Sequence, residues 1–329
     1  MDSPIIRVGI AGYGNLGRGV LAAIAQQPDM QLVAVFTRRE PDTVKLPNAS
    51  IPVQSLKDAQ AHQRDIDVMI LCGGSKDDLP VQGPELAQWF NTVDSFDTHP
   101  KIPQYFARIN DVARASGHLS LISVGWDPGL FSVNRAIGEA VLPQGTPYTF
   151  WGKGVSQGHS DAIRHVAGVR AGVQYTVPVL SALERVRAGE NPALSTRDKH
   201  TRECFVVLEP GADPKKVEHD IASMPDYFAD YDTTVHFISE AELKRDHAGM
   251  PHGGFVMRTG QSGTGDSQVM EFSLKLASNP GFTANVLVAY ARAAWRMKVS
   301  GQTGAHTVLD VAPGWLSAKS PETLRKELL

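Results

Sequence analysis

Ile5-Ile6-Arg7-Val8-Gly9-Ile10-Ala11-Gly12-Tyr13-Gly14-Asn15-Leu16-Gly17 is the stretch that decides how the first part of this chain folds. Ile5 to Ala11 reads as a buried parallel strand, while Asn15 to Ala25 carries Leu16, Val20, Leu21 and Ile24 at helical spacing. Gly12, Gly14 and Gly17 therefore fall at a strand-to-helix turn. The first permits the tight turn, the second lets a pyrophosphate approach the backbone, and the third allows the helix to pack closely on the strand. The helix N-terminus adds unpaired N–H groups and a partial positive charge for the phosphates. Glycines alone punctuate many turns; these flanks make the pattern a dinucleotide site.

The next strand, Leu32 to Phe36, ends where an NAD site places an acid for the ribose 2′-hydroxyl, and here stand Thr37, Arg38 and Arg39. Guanidiniums cannot replace that acceptor. They match a 2′-phosphate, to which the threonine hydroxyl can also donate, so the expected cofactor is NADP. The plain alternative is a solvated basic turn running into Glu40.

Strand and helix patterns keep alternating through the first 125 residues, as a doubly wound α/β sheet requires. Asp67 to Cys72 is a buried strand closed by Gly73-Gly74-Ser75, Asn91 to Asp94 is a short strand, Ile102 to Ser116 is helical, and His118 to Val124 is the next strand. Ligands of such sheets bind beyond the carboxyl ends of the strands. From about residue 130 apolar and polar residues alternate, as in Met270, Phe272, Leu274 and Leu276. Thr201 to Leu208, Val235 to Ile238 and Phe255 to Thr259 read alike, with helices over Ala182 to Ala188 and Asp213 to Ser223. The expected organisation is a dinucleotide domain over 1–125, an α+β substrate domain with a mainly antiparallel sheet over 126–300, and a tail, 301–329, returning to the first domain.

At 329 residues the chain has room for two cores, and its 42% hydrophobic and 20% charged residues are ordinary for a globular protein. A net charge of −3 offers nucleic acid and anionic membranes no general attraction. Asp2 precedes the first apolar run without a basic region, and the longest apolar stretch, Ala284 to Ala294, is interrupted by Arg292, so neither a signal sequence nor a membrane span is expected. Cys72 and Cys204 form no metal or redox pattern and read as buried thiols. The expected compartment is the cytoplasm.

Asp97 and Asp127 follow cofactor-domain strands, where two carboxylates could hold one substrate ammonium. Asp97 could equally form a turn, and Asp127 before Pro128 could equally cap a helix. Trp151 leads into a glycine-rich polar loop, Gly152 to Asp161. Arg202 lies in an apolar strand, where an unpaired guanidinium is costly, so it should meet an internal acid or a substrate carboxylate. His252, between Pro251 and Gly253, could bring a donor to a ligand, and Asn279-Pro280 opens the last long helix, where capping is the simpler role. No metal-ligand spacing, nucleophilic serine elbow or catalytic cysteine arrangement is found.

Together these residues are recognisable. Gly-Tyr-Gly-Asn-Leu-Gly at 12–17, Gly-Trp-Asp-Pro-Gly at 125–129, Ser-Gln-Gly-His-Ser-Asp at 156–161, Met-Pro-Asp-Tyr-Phe at 224–228 and Met-Pro-His-Gly-Gly at 250–254 occur in that order. The chain resembles the meso-diaminopimelate dehydrogenases, NADP-dependent amino-acid dehydrogenases of a bacterial lysine pathway. The resemblance implies a Rossmann-type domain with a substrate and dimerisation domain, a homodimer, and oxidative deamination at the D-centre of a small-molecule substrate, meso-2,6-diaminopimelate. It implies that Asp97, Asp127 and Trp151 hold the reacting centre with Trp126 nearby, and that Gln157 and Gly158 contact substrate. Thr176, Arg202, His252 and Asn279 would fix the far L-amino-acid end. For the nucleotide it implies Gly12 and Tyr13 to Leu16 with Gly17, Thr37 to Arg39, Cys72, Gly73, Gly74 and Ser75. Asp94, Ser95, Phe96 and Asp97, then Trp126, Asp127, Pro128, Gly129 and Leu130, complete that set. Asp97, Asp127 or a water held between them are candidates to accept the amine proton. The rival readings are another NADP-dependent dehydrogenase, of saccharopine or homoserine type, and a non-catalytic NADP-binding sensor.

Overall fold

In the computed structural model, which describes residues 4–329 and so leaves Asp2 outside, the opening strand and helix are β1 (Ile6–Ala11) and α1 (Asn15–Ile24). There follow β2 (Met30–Thr37), β3 (Val53–Ser55), β4 (Val68–Leu71), α2 (Leu79–Leu86), β5 (Asn91–Asp94), α3 (Ile102–Ser116) and β6 (Leu119–Leu121). The middle of the chain forms α4 (Leu130–Val141), β7 (Thr146–Trp151), β8 (Gly154–Val155), α5 (Gln157–Arg164), β9 (Val169–Pro178), α6 (Leu180–Arg187), α7 (Thr196–Lys199) and β10 (His200–Leu208). After these come α8 (Pro214–Ala222), β11 (Asp232–Phe237), α9 (Glu240–Asp246), β12 (His252–Gln261) and β13 (Ser267–Leu276). The chain closes with α10 (Asn279–Val299), β14 (Gly304–His306) and α11 (Pro321–Leu328).

Seven parallel strands form one sheet in the order β14-β6-β5-β4-β1-β2-β3. The order reverses beside β1, which pairs with β2 on one side and β4 on the other, so the glycine turn after β1 and Cys72-Gly73 after β4 flank the switch point. Val8, Ile10, Ile70 and Val93 join α1 and α10 in one core layer; Phe36, Met69 and Leu71 join α2 and α3 in the other. The two compact units run from the N-terminus to Val133 together with Pro280–Leu329, and from Asn134 to Asn279. The division thus falls inside α4 rather than at residue 125, and α10 packs with the first unit although its sequence position suggested the second. The physical reason is that α10 is apolar nearly all round, burying Ala284, Leu287, Val288, Ala291 and Ala294 in the core of the parallel sheet. Arg292, the break in that apolar stretch, is buried in an ion pair with Asp29 at 2.6 Å and donates to the Leu316 carbonyl, tying the tail to the same unit.

The second unit holds two sheets where one was expected. One has the order β11-β10-β9-β8, with β10 and β11 parallel; the other, β13-β12-β7, is antiparallel. Helices α5 and α8 cover Cys204 and Val206 of the first, and α6 packs Leu183 and Val186 on Tyr148, Phe150 and Met257 of the second. Cys72 and Cys204 are free thiols, and among the described residues no helix is long and apolar enough to cross a membrane.

Candidate active site

The turn after β1 is shaped by its glycines. A side chain on Gly17 would put its Cβ 2.1 Å from the Gly12 carbonyl oxygen, so only glycine lets α1 start this close to β1. Nothing lies within 4 Å of the corresponding position on Gly14, the open space a pyrophosphate needs. Gly12 to Asn15, Thr37 to Arg39, Cys72 and Gly73 line one cleft of about 640 Å³. Leu16 and Gly17 instead face the core behind it. Thr37 Oγ1 accepts the Arg39 N–H at 3.1 Å, which leaves its own proton to donate, and Arg39 Nη2 is anchored on the Tyr13 carbonyl at 2.8 Å. Arg38 pairs with Asp78 at 2.6 Å, and Asp78 also accepts the Gly74 N–H at 2.8 Å. Asp78, Arg18 and Gln82 line the cleft without having been anticipated. A donor set of two guanidiniums and one hydroxyl fits a 2′-phosphate, and the glycine turn fits the pyrophosphate.

At the ends of β5 and β6 the loops carrying Asp97 and Asp127 leave the sheet. Asp97 is exposed, and its N–H donates to Ser75 Oγ at 2.8 Å. Asp127 is half-buried and stands three residues before α4 begins at Leu130. Trp126 is buried, edge-on to Phe131. Asp94 and Phe96 turn their side chains inward. Asp94 accepts three internal hydrogen bonds and Phe96 stacks on Tyr105, so what these two offer a nucleotide is main chain only. Burial pushes the Asp94 carboxyl up to about 6, against the pull of those hydrogen bonds.

In the second unit Arg202 is 5% exposed. It donates to Thr176 Oγ1, its register partner on β9, and its guanidinium lies 3.8 Å from the centre of the Tyr231 ring. Its Nε has no partner, and no carboxylate among the described residues pairs with it. Burial lowers the Arg202 pKa from its usual value. Of the two partners the apolar strand called for, the internal acid is absent. Gln157 and Gly158 lie not in a loop but in the first turn of α5, since Ser156 caps this helix by accepting the His159 N–H and Ile163 buries its apolar face. His159 Nδ1 meets Ser156 Oγ at 2.7 Å, and burial, then the charge of Arg202, drops its pKa to about 4.

Trp151 donates its N–H to His200 Nε2 at 2.8 Å and stacks on that ring. Burial, with the charges of Arg202 and Lys199, holds His200 neutral down to about pH 3. His252 opens β12, and its ring occupies the space a side chain on Gly154 would fill, 2.5 Å from its Cγ. Asn279 starts α10 with its N–H on the Met250 carbonyl at 2.9 Å. Tyr231, His159 and His200 are the contributors that sequence reasoning missed. His159 stood inside a recognised motif, whereas only packing reveals the other two.

A parallel sheet with a 2′-phosphate-matched turn, and in the other unit a buried guanidinium held by a hydroxyl and an aromatic ring, are the features of a dinucleotide-dependent dehydrogenase acting on a charged small molecule. Comparison with known proteins makes this particular. Residues 125–278 match the model of the diaminopimelic acid dehydrogenase C-terminal domain. The meso-diaminopimelate D-dehydrogenase of Ureibacillus thermosphaericus is 66% identical over 324 residues, 98% of this chain and 99% of that protein. Among solved structures, the diaminopimelate dehydrogenase of C. glutamicum in complex with DAP is 48% identical with a TM-score of 0.91, over 99% of this chain and 100% of that one. An engineered D-amino acid dehydrogenase bound to NADP+ is 46% identical with a TM-score of 0.85, over 99% and 100%. The chain belongs to the meso-diaminopimelate D-dehydrogenase family.

Proposed function

We propose that this chain oxidatively deaminates the D-centre of meso-2,6-diaminopimelate. The substrate, NADP and water become L-2-amino-6-oxopimelate, ammonia, NADPH and a proton. When bound, NADP supplies the hydride acceptor; Gly12 to Asn15 would hold its pyrophosphate, and Thr37, Arg38 and Arg39 its 2′-phosphate. Asp97 and Asp127 hold the ammonium of the reacting centre, and one of them, or a water held between them, takes its proton, so that the nitrogen lone pair can assist loss of the hydride. Trp126 and Trp151 are the contacts that the family resemblance implies for that centre, and His200 fixes the Trp151 main chain. Arg202 and Thr176 take the far carboxylate, with Gln157, Gly158, His252 and Asn279 completing that end.

The observation that carries this reading is Arg202, a buried guanidinium without a carboxylate of its own. A sensor that binds only the nucleotide has no use for such a group in the second unit. The unit from Asn134 to Asn279 serves as substrate and dimerisation domain of a cytoplasmic homodimer. The test is product stoichiometry with NADP and the meso isomer. Equal yields of ammonia and NADPH are expected, with neither formed from the LL isomer. NADP binding without turnover of the meso isomer would overturn the assignment.

A further inference from the structure

Asp94 sits at the carboxyl end of β5, 1% exposed, with no cation paired to it among the described residues. A carboxylate in such a place is costly unless donors surround it. Three do. Its Oδ1 accepts the N–H of Phe96 at 2.9 Å and that of Ser123 at 3.1 Å, and its Oδ2 accepts the Tyr105 hydroxyl at 2.8 Å. Its own carbonyl takes the Val124 N–H at 2.8 Å. One residue thus joins the end of β5 to the end of β6 at two successive positions.

The backbone groups so held lie just upstream of the two site carboxylates. Phe96 immediately precedes Asp97, and Ser123-Val124 lead through Gly125 and Trp126 to Asp127. Ser123 has φ +57°, a left-handed conformation uncommon for a residue with a side chain, and the Asp94 bond holds it there. On the other side, Phe96 stacks on Tyr105 at 4.1 Å and Ser75 holds the Asp97 N–H, so the Asp97 loop is tied to three strand ends. The Asp94 and Ser75 bonds act on backbone within a few residues of a proposed substrate carboxylate, and the Asp94 carboxyl, 1% exposed and filled by internal donors, is not placed to bind substrate itself.

We propose that Asp94 is the positioning residue of the reacting centre: a single buried carboxylate oxygen sets the spacing of the Asp97 and Asp127 loops. The inference rests on the reading that these two carboxylates hold the substrate ammonium. It separates Asp94 from the nucleotide-binding role its sequence position implied. Asparagine keeps an acceptor for both N–H groups, while leucine of similar size keeps neither.

The experiment uses the full-length enzyme and its Asp94→Leu, Asp94→Asn, Asp97→Asn and Asp127→Asn variants, with Asp94→Leu also placed on the Asp97→Asn background. Asp94→Leu is expected to lower kcat about 10²-fold, since displacement near 1 Å of a reacting group has that effect. The Kd for NADPH should stay within about threefold and Asp94→Asn should keep most of the activity, a split that a general loss of structure would not produce. On the Asp97→Asn background the Asp94→Leu loss should shrink to about tenfold or less, because residues acting as one unit are not additive. Should Asp94→Leu fail to fold, Asp94→Ser, too short to span to Ser123, carries the same expectation. Full multiplication of the two losses, a parallel loss of NADPH affinity, or unchanged kcat would each overturn the inference. If Asp97→Asn and Asp127→Asn themselves leave kcat intact, the catalytic reading fails and the inference falls with it; if they lower kcat while the Asp94 losses multiply, only the inference fails.

Discussion

Replacing Arg202 by methionine should separate binding from stability in a way few other substitutions can. Arg202 is 5% exposed, its Nε is unpartnered, and the Tyr231 ring and Thr176 hydroxyl are its neighbours rather than a carboxylate. In the ligand-free protein the buried charge is therefore a burden on folding. Exchanging a buried charge for an apolar side chain of similar length is commonly neutral or stabilising by about 1–4 kcal/mol. Against that stand the bond to Thr176, about 1 kcal/mol, and the cation–π contact, about 1–2 kcal/mol. The sum leaves ligand-free stability within about 2 kcal/mol of the parent, a change in Tm of about 8 °C or less.

Substrate recognition fares differently. Truncating one partner of a buried, hydrogen-bonded charge pair costs about 2–5 kcal/mol, which at 1.4 kcal/mol per tenfold is about 30- to 3,000-fold. The assay is thermal unfolding without ligands, together with kcat/KM for the meso isomer and Kd for NADPH. The expected result is a Tm near the parent's, unchanged NADPH affinity, and kcat/KM down by that factor. A Tm lowered by about 10 °C would mean that Arg202 supports the fold. Unchanged kcat/KM would mean that no substrate carboxylate reaches it.

Other outcomes derive from the same geometry. Arg38→Ala with Arg39→Ala should narrow the preference for NADP over NAD by about tenfold or more, measured as the ratio of kcat/KM values; an unchanged ratio would dismiss the 2′-phosphate argument. Gly17→Ala must move the Gly12 carbonyl away from a Cβ at 2.1 Å, so NADP affinity should fall well over tenfold while meso-diaminopimelate binding to the second unit's residues is untouched, as separate titrations would show. Arg292→Met leaves the half-buried Asp29 unpaired and should cost about 3 kcal/mol by denaturant unfolding. Burial alone would raise the Asp29 pKa, but the hydrogen bonds and charge of Arg292 hold it below the usual carboxylate range. The stability so gained is present above the unfolded-state pKa and is lost as pH falls through the folded one. Asp29→Asn should accordingly flatten that acid limb of the stability curve; an unaltered limb would assign the pH dependence to other groups.

The parallel sheet was legible because its strands are buried on both faces and read as unbroken apolar runs, with glycines marking the turn between β1 and α1. The second unit was less so. Alternation shows that β10, β12 and β13 each have a covered face, but not which strands pair, and two sheets share the pattern of one. Helix α5 was hidden by Gly158 and a polar first turn, and only its Ser156 cap and buried Ile163 account for it. The candidate site residues that belong to motifs could be proposed from the chain alone. Asp78 on Arg38, Tyr231 on Arg202 and His200 under Trp151 could not, since each pairing joins residues that only tertiary packing brings together. Asp94 shows the opposite case: its place beside Asp97 suggested ligand contact, while burial turned it into the support of the loop.

Hydride loss from the D-centre alone can be followed with meso-diaminopimelate carrying deuterium only on the D-centre α-carbon. The expected products are NADPH bearing one deuterium per turnover and L-2-amino-6-oxopimelate without it. Unlabelled NADPH, with the deuterium retained in the product, would place the reaction at the other centre and contradict it.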